Sequence, residues 1–191
     1  MAVRWSVPPI FAGKTVAVFA TGPSLTREQC DGWDGPSVVV NDAFRLKPEA
    51  EVLYAADGQW WRENKDALEF KGLKVTCMAS CQDDRVMLLQ QAGIEGFDDR
   101  PTHLRTGGNS GYQAIHVAIQ AKAKTIKLFG FDMHGTHFFG KHKAPLRNTE
   151  PEHFAHWAPR FDALNGRGSE IINCTPGSAL TCFPFEDAWA R

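Results

Sequence analysis

The chain has 191 residues, 43% of them hydrophobic and 23% charged, with a formal net charge of −1. These values fit one globular domain with a core of useful size. They give no net positive field for nucleic acid, and no apolar run reaches membrane-spanning length. A local basic patch stays open. "MAVRWSVPPIFAGK" at the start carries no long apolar stretch of the secretory type. The five cysteines, at 30, 77, 81, 174 and 182, are scattered with no Cys-x-x-Cys pair. Reduced thiols and a cytoplasmic location are the expectation.

In chain order, Val16–Ala20 reads as a strand and Ser24–Cys30 as the helix after it, with Pro23 in its first turn or Ser24 as its N-cap. Ser37–Asn41 ("SVVVN") is β-branched without polar alternation, the pattern of a strand buried on both faces. Glu51–Ala55 is a further strand, Gln59–Phe70 a helix, Leu73–Cys77 a strand and Arg85–Ala92 a helix. Ser110–Lys122 ("SGYQAIHVAIQAK") is a strongly apolar helix, followed by a strand at Thr125–Phe129. A loop rich in His, Gly and Lys spans residues 133–148, then a helix at Glu152–Leu164 and a last strand at Glu170–Asn173. Alternation of strand and helix predicts an α/β fold, a Rossmann-like three-layer sandwich with a mostly parallel central sheet. A loop as long as 133–148 has the character of a lid. No internal repeat divides residues 1–191, so a single domain is expected.

In an open parallel sheet, ligands bind beyond the carboxyl ends of the strands. The polar residues expected there are Thr21, Gly22, Pro23 and Ser24, then Asn41 and Asp42, Asp57, Gly130 and Asp132, and finally Asn173, Thr175 and Ser178. Gly22 lets the backbone approach a ligand and permits positive φ, and the amides of the next helix favour an anion. "TGGNSGYQ" (106–113) is a second glycine-bearing helix start, with Asn109, Ser110 and Gly111. Each motif alone is equally compatible with a capped turn. Together they suggest a nucleotide gripped from two sides.

"GFDMHGTHFFGKHKAPLR" (130–147) concentrates the remaining chemistry. His134, His137 and His142 are candidate general bases, since an imidazole titrates near neutrality. Lys141, Lys143 and Arg147 could neutralise a departing diphosphate, and Asp132 could hold a ribose hydroxyl or a divalent metal. Neither these histidines nor His153 and His156 match a recognised zinc spacing. Trp60 and Trp61 read as core, with stacking on a base open for one of them. No G-x-S-x-G elbow is present, which argues against a serine hydrolase.

"ATGPSL" (20–25), "VVVNDAF" (38–44), "NSGYQAIHVAIQAKAKTIKLFGFDMHG" (109–135) and "INCTPGSAL" (172–180) occur in the order of a known layout. In this the chain resembles the sialyltransferase-like group of Rossmann-type transferases. That group includes the bacterial CMP-sialic acid transferases, with motility-associated flagellin glycosyltransferases, 6-hydroxymethylpterin pyrophosphokinases and small phage proteins of similar layout. The resemblance implies a nucleotide or nucleotide-sugar donor surrounded by Thr21, Gly22, Ser24, Asn41, Ser110 and Gly111. It places Asp132 near the ribose or a metal and a histidine of the lid as general base, with His142 first among the three. Thr21 stands where the group often has Asn, and the chain is much shorter than the sialyltransferases. The expected activity is glycosyl transfer to an acceptor the sequence does not name. Two alternatives stand beside it. One is a pyrophosphokinase or other phosphotransferase using ATP and magnesium, with Asp57 and Asp132 as carboxylates; the other is a non-catalytic nucleotide-binding protein. A homo-oligomer is compatible with the sequence.

Overall fold

The computed structural model describes residues 1–188. Its strands are β1 (Val3–Arg4), β2 (Thr15–Phe19), β3 (Ser37–Val40), β4 (Val52–Tyr54), β5 (Leu73–Thr76), β6 (Met87–Leu88), β7 (Gln90–Gln91), β8 (His103–Leu104), β9 (Thr125–Phe129) and β10 (Glu170–Asn173). Four α-helices join them: α1 (Arg27–Asp31), α2 (Gly58–Glu63), α3 (Ser110–Gln120) and α4 (Pro151–Trp157). Eight strands form one parallel sheet in the order β1-β6-β5-β4-β3-β2-β9-β10. This is the α/β, Rossmann-like sandwich the sequence predicts.

Both faces of the sheet are buried, and the period of two along each strand divides the core. Val16, Val18, Val38, Tyr54 and Leu128 face a layer built on α3 and the 3-10 turns at Ala158–Leu164. Ala17, Phe19, Val39, Leu53 and Phe129 face the opposite layer. That layer is thin: α1 and α2 are five and six residues long, supplemented by 3-10 turns at Asn41–Arg45 and Lys65–Glu69. Trp60 and Trp61 both sit in it, 2% exposed, with their indole N–H groups donating to Asp42 Oδ2 (2.8 Å) and the Ala55 carbonyl (3.0 Å). Both are core, as expected, because each amphipathic ring finds a partner for its polar end. Asp42 is thereby committed to the core.

Four expectations need correction. Gln59–Phe70 is not one helix: it divides at Asn64 into α2 and the 3-10 turn at Lys65–Glu69. Arg85–Ala92 is not a helix: Met87–Leu88 pairs with β5 and β1 at the sheet edge, and Gln90–Gln91 pairs with β8. Local helix propensity loses there to unpaired sheet edges. The helix after β2 starts later than Ser24. Its N-cap is Thr26, in a capping box with Gln29, while Ser24 lies in the preceding turn. Glu152–Leu164 splits into α4 and 3-10 turns, the break falling where Pro159 withholds an amide.

Helix α3 also holds the segment that leads into β8. Gln120 Nε2 donates to the carbonyls of Asp98 (2.9 Å), Arg100 (2.9 Å) and His103 (2.7 Å), and His116 Nε2 accepts from the Asp98 amide (3.1 Å). Gln120→Leu strips these buried and part-buried carbonyls of a shared donor and is expected to cost about 2 kcal/mol in urea denaturation. No helix among the described residues is long and apolar enough to cross a membrane.

Candidate functional site at the switch point of the sheet

From β2 the chain runs outward through β3, β4, β5 and β6, then returns to the other side of β2 to form β9 and β10. The order therefore reverses between β2 and β9, where an open α/β sheet leaves a crevice beyond its strand ends. Two turns flank it. After β2, the Gly22 amide donates to the Gly130 carbonyl (2.9 Å). After β9, Asp132 reaches back: its carboxylate accepts from the Ser24 amide (3.2 Å) and from Ser24 Oγ (2.9 Å). A Cβ at Gly22 would overlap both Asp132 Oδ2 and the Gly130 carbonyl. Close approach, not positive φ, is thus the reason for glycine at 22, which is absent from the positive-φ residues. The buried Asp132 is the tie between the turns, and its oxygens occupy the Ser24 amide expected to meet a ligand.

The second glycine-bearing turn opens α3. Asn109 is its N-cap, taking the Tyr112 amide at 3.1 Å. The amides of Ser110 and Gly111 have no intrahelical acceptor at such a start. A Cβ at Gly111 would meet the Phe131 ring at 2.8 Å, so α3 packs directly on the β9 turn. Gln113, one turn in, is locked by Tyr54 Oη donating to its Oε1 (2.7 Å) and by its own Nε2 donating to the Thr106 carbonyl (2.6 Å). Asn41, just past β3, has φ 47, a left-handed conformation that Asn tolerates better than most residues. Its Oδ1 is buried without a hydrogen-bond partner.

Residues 133–148 form the expected long loop over these strand ends. Its first part is fastened to the β2 turn: Phe138 N donates to the Thr21 carbonyl (2.9 Å), and Thr21 Oγ1 and His137 Nδ1 are 2.9 Å apart. His137 stacks on Phe139 (centroids 4.9 Å) and meets His142 (4.6 Å). Burial first, and then His142, push the His137 imidazole below its ordinary value. His134 is exposed, with Nε2 3.3 Å from the Gly177 carbonyl. A carbonyl only accepts, so this contact puts the proton on Nε2 and leaves Nδ1 as the acceptor.

These elements enclose a cavity of about 840 Å³. Thr21, Gly22, Asn41 and Asp57 line it from the strand ends, Asn109, Ser110 and Gly111 from the start of α3, and Gly130 and Asp132 from the β9 turn. His134, His137 and Lys141 line it from the loop. Pro23, Ser24, His142, Lys143 and Arg147 are not among its lining residues. Ser24 is turned to Asp132. His142 packs behind His137, its amide held by Asn148 Oδ1 at 2.7 Å. Lys143 and Arg147 are exposed. His142 therefore lies outside the cavity that His134 and His137 line, and of the three loop cations Lys141 alone faces it. Asp57 caps α2, accepting from the Gln59 amide at 2.7 Å.

No family model, no curated protein and no solved structure matches the chain.

Several lining residues escaped the sequence reading: Met78, Gln113, Thr149, Glu150, Phe154 and Trp157. Gln113 carried a signal, being a polar residue within an otherwise apolar helix. Phe154 and Trp157 carried another, since their i, i+3 spacing on α4 puts both rings on one side, 5.8 Å apart. Met78, Thr149 and Glu150 carried none. Among the described residues, no group of three or more His, Cys, Asp or Glu side chains suits a metal ion.

Proposed function

We propose that the protein is a glycosyltransferase-like enzyme that binds a nucleotide-activated donor in the cavity between the β2 and β9 turns. The observation that carries this reading is the convergence there of two glycine-bearing turns, the second of them opening α3, and an unpartnered buried acceptor, Asn41 Oδ1. Non-glycine residues held at positive φ concentrate at ligand-binding sites, and an acceptor-only oxygen calls for a donor such as a ribose hydroxyl or a base amine. The Ser110 and Gly111 amides with Lys141 suit the phosphates. The resemblance of the four sequence motifs to the sialyltransferase-like group points the same way.

In the reaction, the acceptor oxygen forms a bond to the anomeric carbon of the donor sugar. The bond from that carbon to the phosphate oxygen breaks, and its electron pair leaves with the nucleotide. The proton of the acceptor hydroxyl passes to His134 Nδ1. Lys141 stabilises the leaving phosphate.

A thermal-shift panel of CMP, UDP, GDP, ADP and ATP, each with and without magnesium, tests the reading. A nucleotide at a hundredfold its Kd adds about 2.7 kcal/mol, or about 8 °C in a chain of this size. A metal-independent shift supports the proposal. A shift confined to ATP with magnesium replaces it with phosphotransfer, and no shift overturns it. Asn41→Gly removes the acceptor and suits the backbone, so it is expected to keep the melting temperature and weaken nucleotide binding about tenfold. His134→Ala is expected to leave binding intact and lower turnover by about a hundredfold or more.

A further inference from the structure

A second cavity, of about 760 Å³, lies against residues 133–135 of the loop. It shares Met133, His134, Gly135, Pro151 and Phe154 with the nucleotide cavity, so the two cavities adjoin along these residues. Its far side is built from the end of α4, the 3-10 turns after it and the segment following β10. That segment is held in place by the Ala179 amide, which donates to the Asp132 carbonyl at 2.9 Å. One residue, Asp132, therefore fixes both cavities: its side chain ties the β2 turn and its carbonyl ties the wall of the second chamber.

The lining chemistry differs sharply from that of the first cavity. Most of it is small and apolar, from Ala155, Ala158 and Ala179 to the two prolines. Away from the shared residues, the lining side chains with polar groups are Asp162, Thr181 and Cys182. Asp162 Oδ1 accepts from Asn165 Nδ2 at 3.0 Å, which leaves Oδ2 for a ligand. No Lys or Arg is among the described lining residues. An anion entering here would meet a carboxylate and no compensating cation, whereas a hydroxyl or ammonium group can donate to Asp162.

We infer that this second cavity is the acceptor site, and that the acceptor is an uncharged or amine-bearing molecule presenting hydroxyls, not a carboxylated or phosphorylated one. The inference rests on the nucleotide reading of the first cavity. His134 lines both cavities, so a hydroxyl held in the second and a donor held in the first meet at their junction beside this imidazole, where the acceptor oxygen faces the anomeric carbon. A mostly apolar chamber with few polar groups is the ordinary makeup of a small-molecule site.

Three ligands with one ring and different charge separate the outcomes: glucosamine, glucose and glucose 6-phosphate. Amide spectra of the full chain are recorded first with CMP, UDP, GDP and ADP in turn, then with each sugar added. A nucleotide is expected to shift the amides of Gly22, Asn41 and Gly111. Glucose and glucosamine are expected to shift Ala158, Ala179 and Thr181, with glucosamine about threefold tighter and glucose 6-phosphate at least tenfold weaker than glucose. Asp162→Asn should abolish the advantage of the amine. Ala158→Trp should fill the chamber and remove the sugar shifts while leaving the nucleotide shifts. Nucleotide shifts without sugar shifts, or tighter binding of the phosphorylated sugar, overturn the acceptor assignment alone. Absence of any nucleotide shift overturns both assignments.

Discussion

Replacing Gly22 with valine is expected to lower the unfolding free energy by about 3 kcal/mol and to abolish nucleotide binding. The added Cβ overlaps two fixed groups at once, the Asp132 carboxylate and the Gly130 carbonyl. The first could swing away at the expense of its bonds to Ser24; the second is backbone in the central strand-end turn. This gives the prediction its discriminating control. Asp132→Ala alone is expected to cost about 1–2 kcal/mol, because the part-buried Ser24 amide and hydroxyl lose their acceptor. Asp132→Ala added to Gly22→Val removes one overlap and leaves the other, so the double variant should recover neither stability nor binding. Urea denaturation read by tryptophan fluorescence, together with the nucleotide thermal shift, measures both quantities. Wild-type stability in Gly22→Val would mean that the turns do not approach as described.

The second large effect is expected on acidification. His116 is fully buried on α3, stacked on Phe97 at 4.2 Å, and its Nε2 accepts from the Asp98 amide. Burial pushes its imidazole down to about 4, against the opposing pull of the Asp98 carboxylate. The unfolded chain, with an ordinary imidazole near 6.5, therefore binds more protons than the native one between pH 6.5 and 4. Stability from this group is fully present above pH 6.5 and is lost as pH falls through that window. The difference amounts to about 3 kcal/mol. Asp98, held down to about 2 chiefly by its hydrogen bonds from Arg100, withdraws its own contribution only below the ordinary carboxylate range. The two losses are separable by pH. Urea midpoints measured from pH 7.5 to 4.5 should fall steeply in the wild type. His116→Gln, which keeps an acceptor for the Asp98 amide without a titrating ring, should start lower and fall less. Parallel slopes for the two proteins would show that His116 is not the group responsible.

Much of the fold was legible because a parallel sheet buried on both faces writes itself as short β-branched runs. "SVVV" and "TIKLF" could pack nowhere else, and their strand bounds agree with the structure to within a residue. "SGYQAIHVAIQ" was equally plain as a helix, since few other elements tolerate so many small and apolar residues in sequence. "RVMLLQQA" was not. Its residues suit a helix locally, and only the open edge of β5 and the arrival of β1 from the far end of the chain make it a pair of strands. Hydrogen-bonding partners eighty residues away leave no periodic trace in the segment they recruit.

The candidate site divides in the same way. The sequence by itself determined which chemical groups stand at strand ends: Gly22, Asn41, Asp57, Gly111 and Asp132 occupy such positions because each follows a run that can only be a strand or opens a helix that can only be α3. What only the tertiary structure decided is how those groups are employed. Asp132 faces Ser24 because β9 is inserted beside β2, so a carboxylate read as a ligand contact is the clasp between two turns. Among three similar histidines, His134 reaches both cavities while His137 is spent on Thr21 and His142 on packing. Strand and helix identity follows from the spacing of apolar residues over one or two turns of chain. The role of a polar side chain depends on which partner 50 or 100 residues away reaches it first, and the chain settles that choice only by folding.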